Sequence, residues 1–196
     1  MLDSVRAFVA LRMAPEMEQA ISDFVASMRT ARNSNRDGVR WIGRNNFHLT
    51  LRFLGDHVAA STIERLDAAF GEIATATACF GIDVRGIGAF PDLERPQVIW
   101  VGLESADLRA LAAQIERAAV SAGLAPERRT FTPHLTIGRV RDLTGWNELR
   151  RIIETAQNRD FGRSSVKSFM LYRSILGLDS PTYEELGRYR FAGGTQ

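Results

Sequence analysis

Apolar positions along this chain follow two periods, and their alternation outlines its elements. Arg6 to Met13 holds Phe8, Val9 and Leu11 in a tight run that predicts a strand. Pro15 suits the first turn of a helix. Met17, Ile21, Phe24 and Met28 then recur at helical spacing to about Arg29. The polar stretch Thr30 to Gly38 predicts a loop and Trp41-Ile42 a short strand. Phe47 to Leu54 predicts a longer strand, stopped by Gly55-Asp56. Ser61 with Glu64 reads as a capping box, opening a helix with Ile63, Leu66, Phe70 and Ile73 on one face. Phe80 to Phe90 predicts a strand punctuated by glycines, and Gln97 to Leu103 another after Pro96. Leu108, Leu111, Ile115 and Ala119 mark a helix that ends near Gly123. Pro133 opens a strand from His134 to Val140, where a proline costs no interior ladder bond. Trp146, Leu149, Ile153 and Ala156 give a fourth helix. Val166 to Leu176 and Tyr183 to Phe191 predict a closing pair of strands around the turn residues Asp179-Ser180-Pro181.

The order is strand, helix, strand, helix, strand, strand, helix, strand, helix, strand, strand. It suggests a duplication, with two helices in each half, and the mixed order points to α+β with largely antiparallel sheets. No proline- or serine-rich linker separates the halves. The expectation is therefore one domain over 1–196, made of two pseudo-symmetric lobes packed around a cleft. A length of 196 residues suits this, and 45% hydrophobic with 24% charged residues is ordinary for a globular protein. No apolar run approaches the roughly 18 residues of a membrane span, and no signal peptide is visible. The single cysteine, Cys79, excludes an internal disulfide and reads as a small core residue. These features make a cytoplasmic, monomeric protein the expectation. The formal charge is only +2, but Lys167 is the only lysine, so nearly all positive charge is arginine. Arginine binds phosphate through a planar fork and stacks on bases. At so small a net charge this does not by itself imply a nucleic-acid partner.

The chemistry enters with a repeat. His48-Leu49-Thr50-Leu51 recurs as His134-Leu135-Thr136-Ile137, so two of the three histidines head the same four-residue pattern. Residues i and i+2 of a strand face the same way. Each copy thus offers one imidazole and one hydroxyl on one face and two aliphatic chains on the other. A lone strand histidine is more often structural, and His57, after Gly55-Asp56, reads as a solvated loop residue. A core has little reason to pair imidazole with hydroxyl twice. Zinc catalysis usually takes three protein ligands; His57 is not a plausible third, and no cysteine pair or His-Glu-x-x-His motif is present, so no metal or other cofactor is expected. No Gly-x-Ser-x-Gly elbow exists, and Cys79 has no evident base. Two imidazoles suit in-line displacement at phosphorus: one, neutral, takes a proton from water, and the other, protonated, gives one to the leaving oxygen. Two hydroxyls can hold the nonbridging oxygens.

At these residues the chain resembles the two-histidine (2H) phosphoesterase superfamily, and within it the RNA 2′,3′-cyclic phosphodiesterases, also called 2′-5′ RNA ligases. Trp41, the run Asn46 to Gly55, Gly88-Ala89-Phe90-Pro91, Arg95-Pro96 before Val98-Ile99-Trp100, Phe131 to Arg139, and Ser174, Leu176 and Tyr183 all look like family segments. The resemblance implies a bilobal α+β fold with two antiparallel sheets around a cleft and helices outside. It also implies metal-independent opening of a terminal ribose 2′,3′-cyclic phosphate to a 2′-phosphate, with RNA 3′ ends or nucleotide cyclic phosphates as partners. By the same resemblance His48 is the proton donor, His134 the proton acceptor, and Thr50 and Thr136 contact phosphate. Arg139 matches a basic family position and is a candidate substrate contact. Strict alternation puts it opposite His134, so it needs a twist, a bulge or a strand end to reach the cleft. Arg52, on the face of His48, is a second candidate, and Phe90 a third, for stacking on a terminal base, with core packing as its alternative. Arg12 stands where an acidic residue is common in the family. Other readings keep parts of this picture: a 2′-5′ phosphodiesterase or ligase, a small cyclic-nucleotide phosphodiesterase, or a non-catalytic RNA-end binding protein.

Overall fold

The computed structural model describes residues 4–30, 38–177 and 181–193. Among them the strands are β1 (Ser4–Leu11), β2 (Val39–Trp41), β3 (Leu49–Ala59), β4 (Phe80–Phe90), β5 (Val98–Glu104), β6 (His134–Val140), β7 (Asp160–Val166), β8 (Ser168–Ile175) and β9 (Thr182–Arg190). The helices are α1 (Pro15–Thr30), α2 (Ala60–Ala76), α3 (Ala106–Ser121) and α4 (Trp146–Thr155), with a 3-10 turn at Arg44–Asn46. The fold is α+β. One sheet has the order β3-β1-β8-β9 and the other β2-β6-β5-β4-β7, and every pairing within them is antiparallel.

The helical periods do what their spacing requires. Met17, Ile21, Phe24 and Met28 are buried on α1, which packs against β7. Leu108, Leu111, Ile115 and Ala119 are buried on α3, which packs against α2 and β3. Each fully covered Leu, Ile or Phe contributes roughly 1.5–3 kcal/mol, so these stripes hold the helices in place. They merge into one core that includes Val9 and Leu11 of β1 and Ile99 and Val101 of β5. A separate small cluster of Phe8, Ala10, Met170 and Tyr172, with Phe53 and Tyr183 beside it, lies on the other face of the four-stranded sheet. No helix among the described residues is long and apolar enough to cross a membrane.

Four local expectations change. β3 does not stop at Gly55-Asp56 but pairs with β1 as far as Ala59 opposite Ser4. Gly55 takes φ 142, a value open to glycine, and register shifts on either side absorb the irregularity. His57 therefore lies in a strand rather than a loop, although it is exposed. Ser61 does not cap α2: the helix starts at Ala60 with Ala59 at the N-cap and no side-chain cap bond, because β3 runs straight into it. β7 is an additional strand of largely polar sequence at the edge of the five-stranded sheet, where Ser164 and Val166 face inward. Ser164 Oγ accepts the Ala14 N–H at 3.0 Å. Cys79 is half-buried and packs against the core. The stretch 31–37 and the turn residues Asp179 and Ser180 lie outside the described residues.

Candidate active site

Each histidine enters its strand in the same way. Before His48 the 3-10 turn ends at Phe47, which is buried and extended (φ −66°, ψ 123°). Before His134 stands buried Pro133. These plugs bring each imidazole back onto the carbonyl two residues earlier. His48 Nδ1 lies 2.8 Å from Asn46 O, and His134 Nδ1 lies 2.7 Å from Thr132 O. A carbonyl only accepts, so Nδ1 carries the proton in both rings and donates it. Nε2 is thereby left as the nitrogen that can take or give a proton.

The strands then place the hydroxyls. Residues directly opposite in an antiparallel pair share a face. Thr50 lies opposite Ala10, and Thr136 opposite Trp100. In each copy the fourth residue of the motif, Leu51 against β1 or Ile137 against β5, is an extra residue with none opposite it: Val9 pairs with Arg52 and Ala10 with Thr50, while Ile99 pairs with Gly138 and Trp100 with Thr136. This is a β-bulge, and it reverses the alternation beyond it. Arg139 consequently lies opposite Val98, two residues from Trp100, on the face of His134 and Thr136. Its equivalent in the first sheet is Phe53, opposite Phe8.

The same bulge removes Arg52 from the face of His48. Arg52 lies opposite Val9, a core residue, and is only 9% exposed. Nη1 donates to Phe53 O at 2.7 Å and Nη2 to Ala125 O at 2.5 Å. Nε sits 2.5 Å from Glu116 Oε2, and Glu127 Oε2 is 3.5 Å from Nη1. The Nε–H is poorly aligned with Glu116, so that contact is ionic rather than a formed hydrogen bond. Arg52 thus joins the strand after His48 to the segment leading into His134, away from the cleft.

Around His48 lie Phe8 and Tyr183, with ring centroids 5.1 Å from the imidazole in each case. His134 has Phe90 edge-on at 5.0 Å, and Phe90 leans on Trp100 at 5.2 Å. Burial, followed by the charges of Arg12, Arg139 and His134, lowers the His48 pKa to about 4, against the bond to Asn46 O. Burial and then Arg139 lower His134, against the bond to Thr132 O. Arg139 acts electrostatically on both imidazoles and on the Tyr183 phenol, and His134 acts on His48. Arg12, Arg139 and His134 therefore all lie within electrostatic reach of His48.

Thr50 is exposed and Thr136 half-buried. Arg12 is clamped by Glu18, with Nε to Oε1 at 2.8 Å and Nη2 to Oε2 at 2.6 Å, and Nη1 donates to Asn45 O at 3.2 Å. It braces the turn that carries His48, and an acidic partner reaches it from α1. Phe8 and Trp100 were not singled out as site residues by sequence, because each reads as one more apolar strand position. Among the described residues no three His, Cys, Asp or Glu side chains gather as a metal-binding group.

The family model of the 2′-5′ RNA ligase superfamily matches residues 17–175. The chain belongs to this superfamily. Members similar to it include an Aeropyrum pernix protein, 36% identical over 146 residues that make up 72% of this chain and 80% of the relative. An Aquifex aeolicus protein is 35% identical over 159 residues, 79% of this chain and 82% of the relative. Both carry the name RNA 2′,3′-cyclic phosphodiesterase. Among solved structures, Escherichia coli LigT complexed with 3′-AMP shares the fold, with a TM-score of 0.76 at 24% identity over 96% of this superfamily member and 98% of LigT. A Thermus thermophilus structure matches with a TM-score of 0.77, also at 24% identity, covering 95% and 97%.

Proposed function

We propose that this member of the 2′-5′ RNA ligase superfamily is an RNA 2′,3′-cyclic phosphodiesterase that opens the terminal cyclic phosphate to a 2′-phosphate without a metal ion. The observation that carries this reading is the pair of imidazoles, each with Nδ1 tied to the carbonyl two residues before it and each leaving Nε2 for proton transfer. The names of the relatives support the substrate.

His134 Nε2 takes a proton from water as the water oxygen bonds to phosphorus. The bond from phosphorus to the ribose 3′ oxygen breaks on the opposite side, and His48 Nε2 supplies that oxygen with a proton. Exchange with solvent resets the pair. Thr50 and Thr136 donate hydrogen bonds to the nonbridging oxygens, and Arg139, brought to this face by the bulge, offsets their growing charge. Fixed placement of both partners supplies much of the remaining acceleration. The assignment of donor and acceptor rests on the family resemblance, since both rings are anchored alike. The equivalent bulges in the two sheets support one domain of two pseudo-symmetric lobes over the chain.

The test is an oligonucleotide ending in a 2′,3′-cyclic phosphate, incubated in chelator. The wild type is expected to release a 2′-phosphate end, and His48→Ala and His134→Ala to be inactive. Wild-type activity in either variant, or loss of activity in chelator, would contradict the mechanism.

A further inference from the structure

A cavity of about 520 Å³ opens beside His134 on its own sheet, and His48 does not line it. Its size falls within the ~300–1,000 Å³ of pockets that enclose an organic ligand, far more than an attacking water needs. Three features give it a chemistry.

The first is the floor. Gly102 lies directly opposite His134 and Gly88 directly opposite Trp100. The Trp100 indole covers the places where both side chains would stand: a Cβ on Gly88 would run into it, and one on Gly102 would meet it at 3.4 Å and the Arg85 carbonyl at 2.5 Å. Two glycines therefore let the indole lie along the sheet, with Phe90 tilted 33° against it. That is an aromatic surface beside a proton-transfer group. The second feature is a pair of neutral amides, Gln157 and Asn158, on the rim between α4 and β7. Each offers donors and an acceptor, as the edge of a base requires. The third is Arg109, on the first turn of α3. It touches Phe131 O through Nη1 at 3.4 Å, which leaves most of its fork for an anion. The other rim arginine, Arg85, is already paired with Glu104.

An aromatic floor, amides on the rim and one available arginine are what a nucleotide needs. It is not the reacting nucleotide. Under the function proposed above, on which this inference rests, the terminal ribose is joined to phosphorus through both its 2′ and 3′ oxygens and presents the leaving 3′ oxygen to His48. It therefore lies on the side of His48, against Phe8 and Tyr183. We propose that the cavity beside His134 binds the nucleotide that precedes the cyclic-phosphate terminus, so that the preferred substrate is an RNA chain and not a cyclic mononucleotide.

The experiment compares kcat/KM for a 2′,3′-cyclic mononucleotide, a dinucleotide ending in the same cyclic nucleotide, and a decamer. Stacking of one base corresponds to roughly 5- to 150-fold. The dinucleotide is expected to exceed the mononucleotide by about that factor, and the decamer to add little. Arg109→Gln with Asn158→Ala, which leaves the aromatic floor in place, is expected to lower the ratio of dinucleotide to mononucleotide several-fold. Equal kcat/KM for the mononucleotide and dinucleotide in the wild type would overturn the subsite while leaving the phosphodiesterase intact. An equal loss on both substrates in the double variant would also overturn it, since the cavity would then hold the terminal nucleoside. Turnover of none of the three would overturn the phosphodiesterase itself, and the subsite with it.

Discussion

His48 poses a problem that its surroundings also solve. The role proposed for it, proton donor, requires a proton, yet burial and the nearby cations bring its pKa to about 4. At pH 7 only about one molecule in a thousand would then carry the donor proton. Under the proposed function the cyclic phosphate brings the missing charge. A single negative charge ~4 Å away, at an effective dielectric constant of ~20, contributes about 4 kcal/mol. That is about three pH units, enough to lift His48 from about 4 to ~7. A bound anion should therefore charge the donor. The assay is a titration of the imidazole resonances by NMR from pH 3.5 to 8.5, with and without saturating inorganic sulfate, whose charge is constant in this range. The chain has only three histidines, and His48→Gln assigns the resonance. In the free protein His48 should titrate well below its ordinary value, and with sulfate at least two units higher. A free-protein midpoint near ~6.5, or a midpoint that sulfate leaves in place, would refute this account of the donor.

Other consequences can be measured alongside. The folded pKa of His48 lies below the unfolded ~6.5, so the unfolded chain binds the proton more readily. Stability is then full above pH 6.5 and falls as pH drops toward 4, by about 3 kcal/mol in all. Urea unfolding across this window should show that slope, and His48→Gln should lose it; equal slopes in both proteins would contradict the burial argument. Arg52→Met leaves Glu116 without its cation and two carbonyls without donors. The expected loss is about 3 kcal/mol in urea unfolding, and an unchanged midpoint would show the ion pair to be idle. Thr136→Ala should lower kcat by on the order of 10²-fold with an unaltered unfolding midpoint. A rate within twofold of the wild type would remove this hydroxyl from phosphate stabilisation.

Much of the fold was legible because its elements carry strong periods. The strand Phe80 to Phe90 and the strand His134 to Val140 appear with the expected bounds, and the stripes of α1, α3 and α4 are buried as their spacing requires. β7 was not legible. Its sequence, Asp160-Phe161-Gly162-Arg163-Ser164-Ser165-Val166, lies at a sheet edge and buries little, so it lacks the apolar alternation that marks a strand. The pairing of His with Thr was visible because i and i+2 share a face whatever follows.

What followed was not visible, and the reason is a single residue. A strand's faces alternate with period two, so one unpaired residue exchanges every side chain beyond it. Leu51 and Ile137 are ordinary aliphatic strand residues, and nothing in their identity announces a bulge. Yet their insertion decides the fate of both arginines after the motif. Without it Arg52 would share the face of His48, and Arg139 would turn away from His134. With it Arg139 reaches the cleft, and Arg52 turns inward to bind Glu116 and Ala125 O. Gly138 follows the second bulge where Arg52 follows the first, and a Cβ there would press on Val39 at 2.8 Å. The bare glycine lets β2 close against β6 beside Arg139. One backbone irregularity, repeated in two sheets, thus serves two purposes: it puts Arg139 on the face of His134 in one sheet, and in the other it turns Arg52 inward onto α3 and the segment that follows it. A sequence reader who knows the bulge can apply it directly. In this chain the residue five after the second histidine shares the face of His134 and Thr136, and the residue four after the first faces the core.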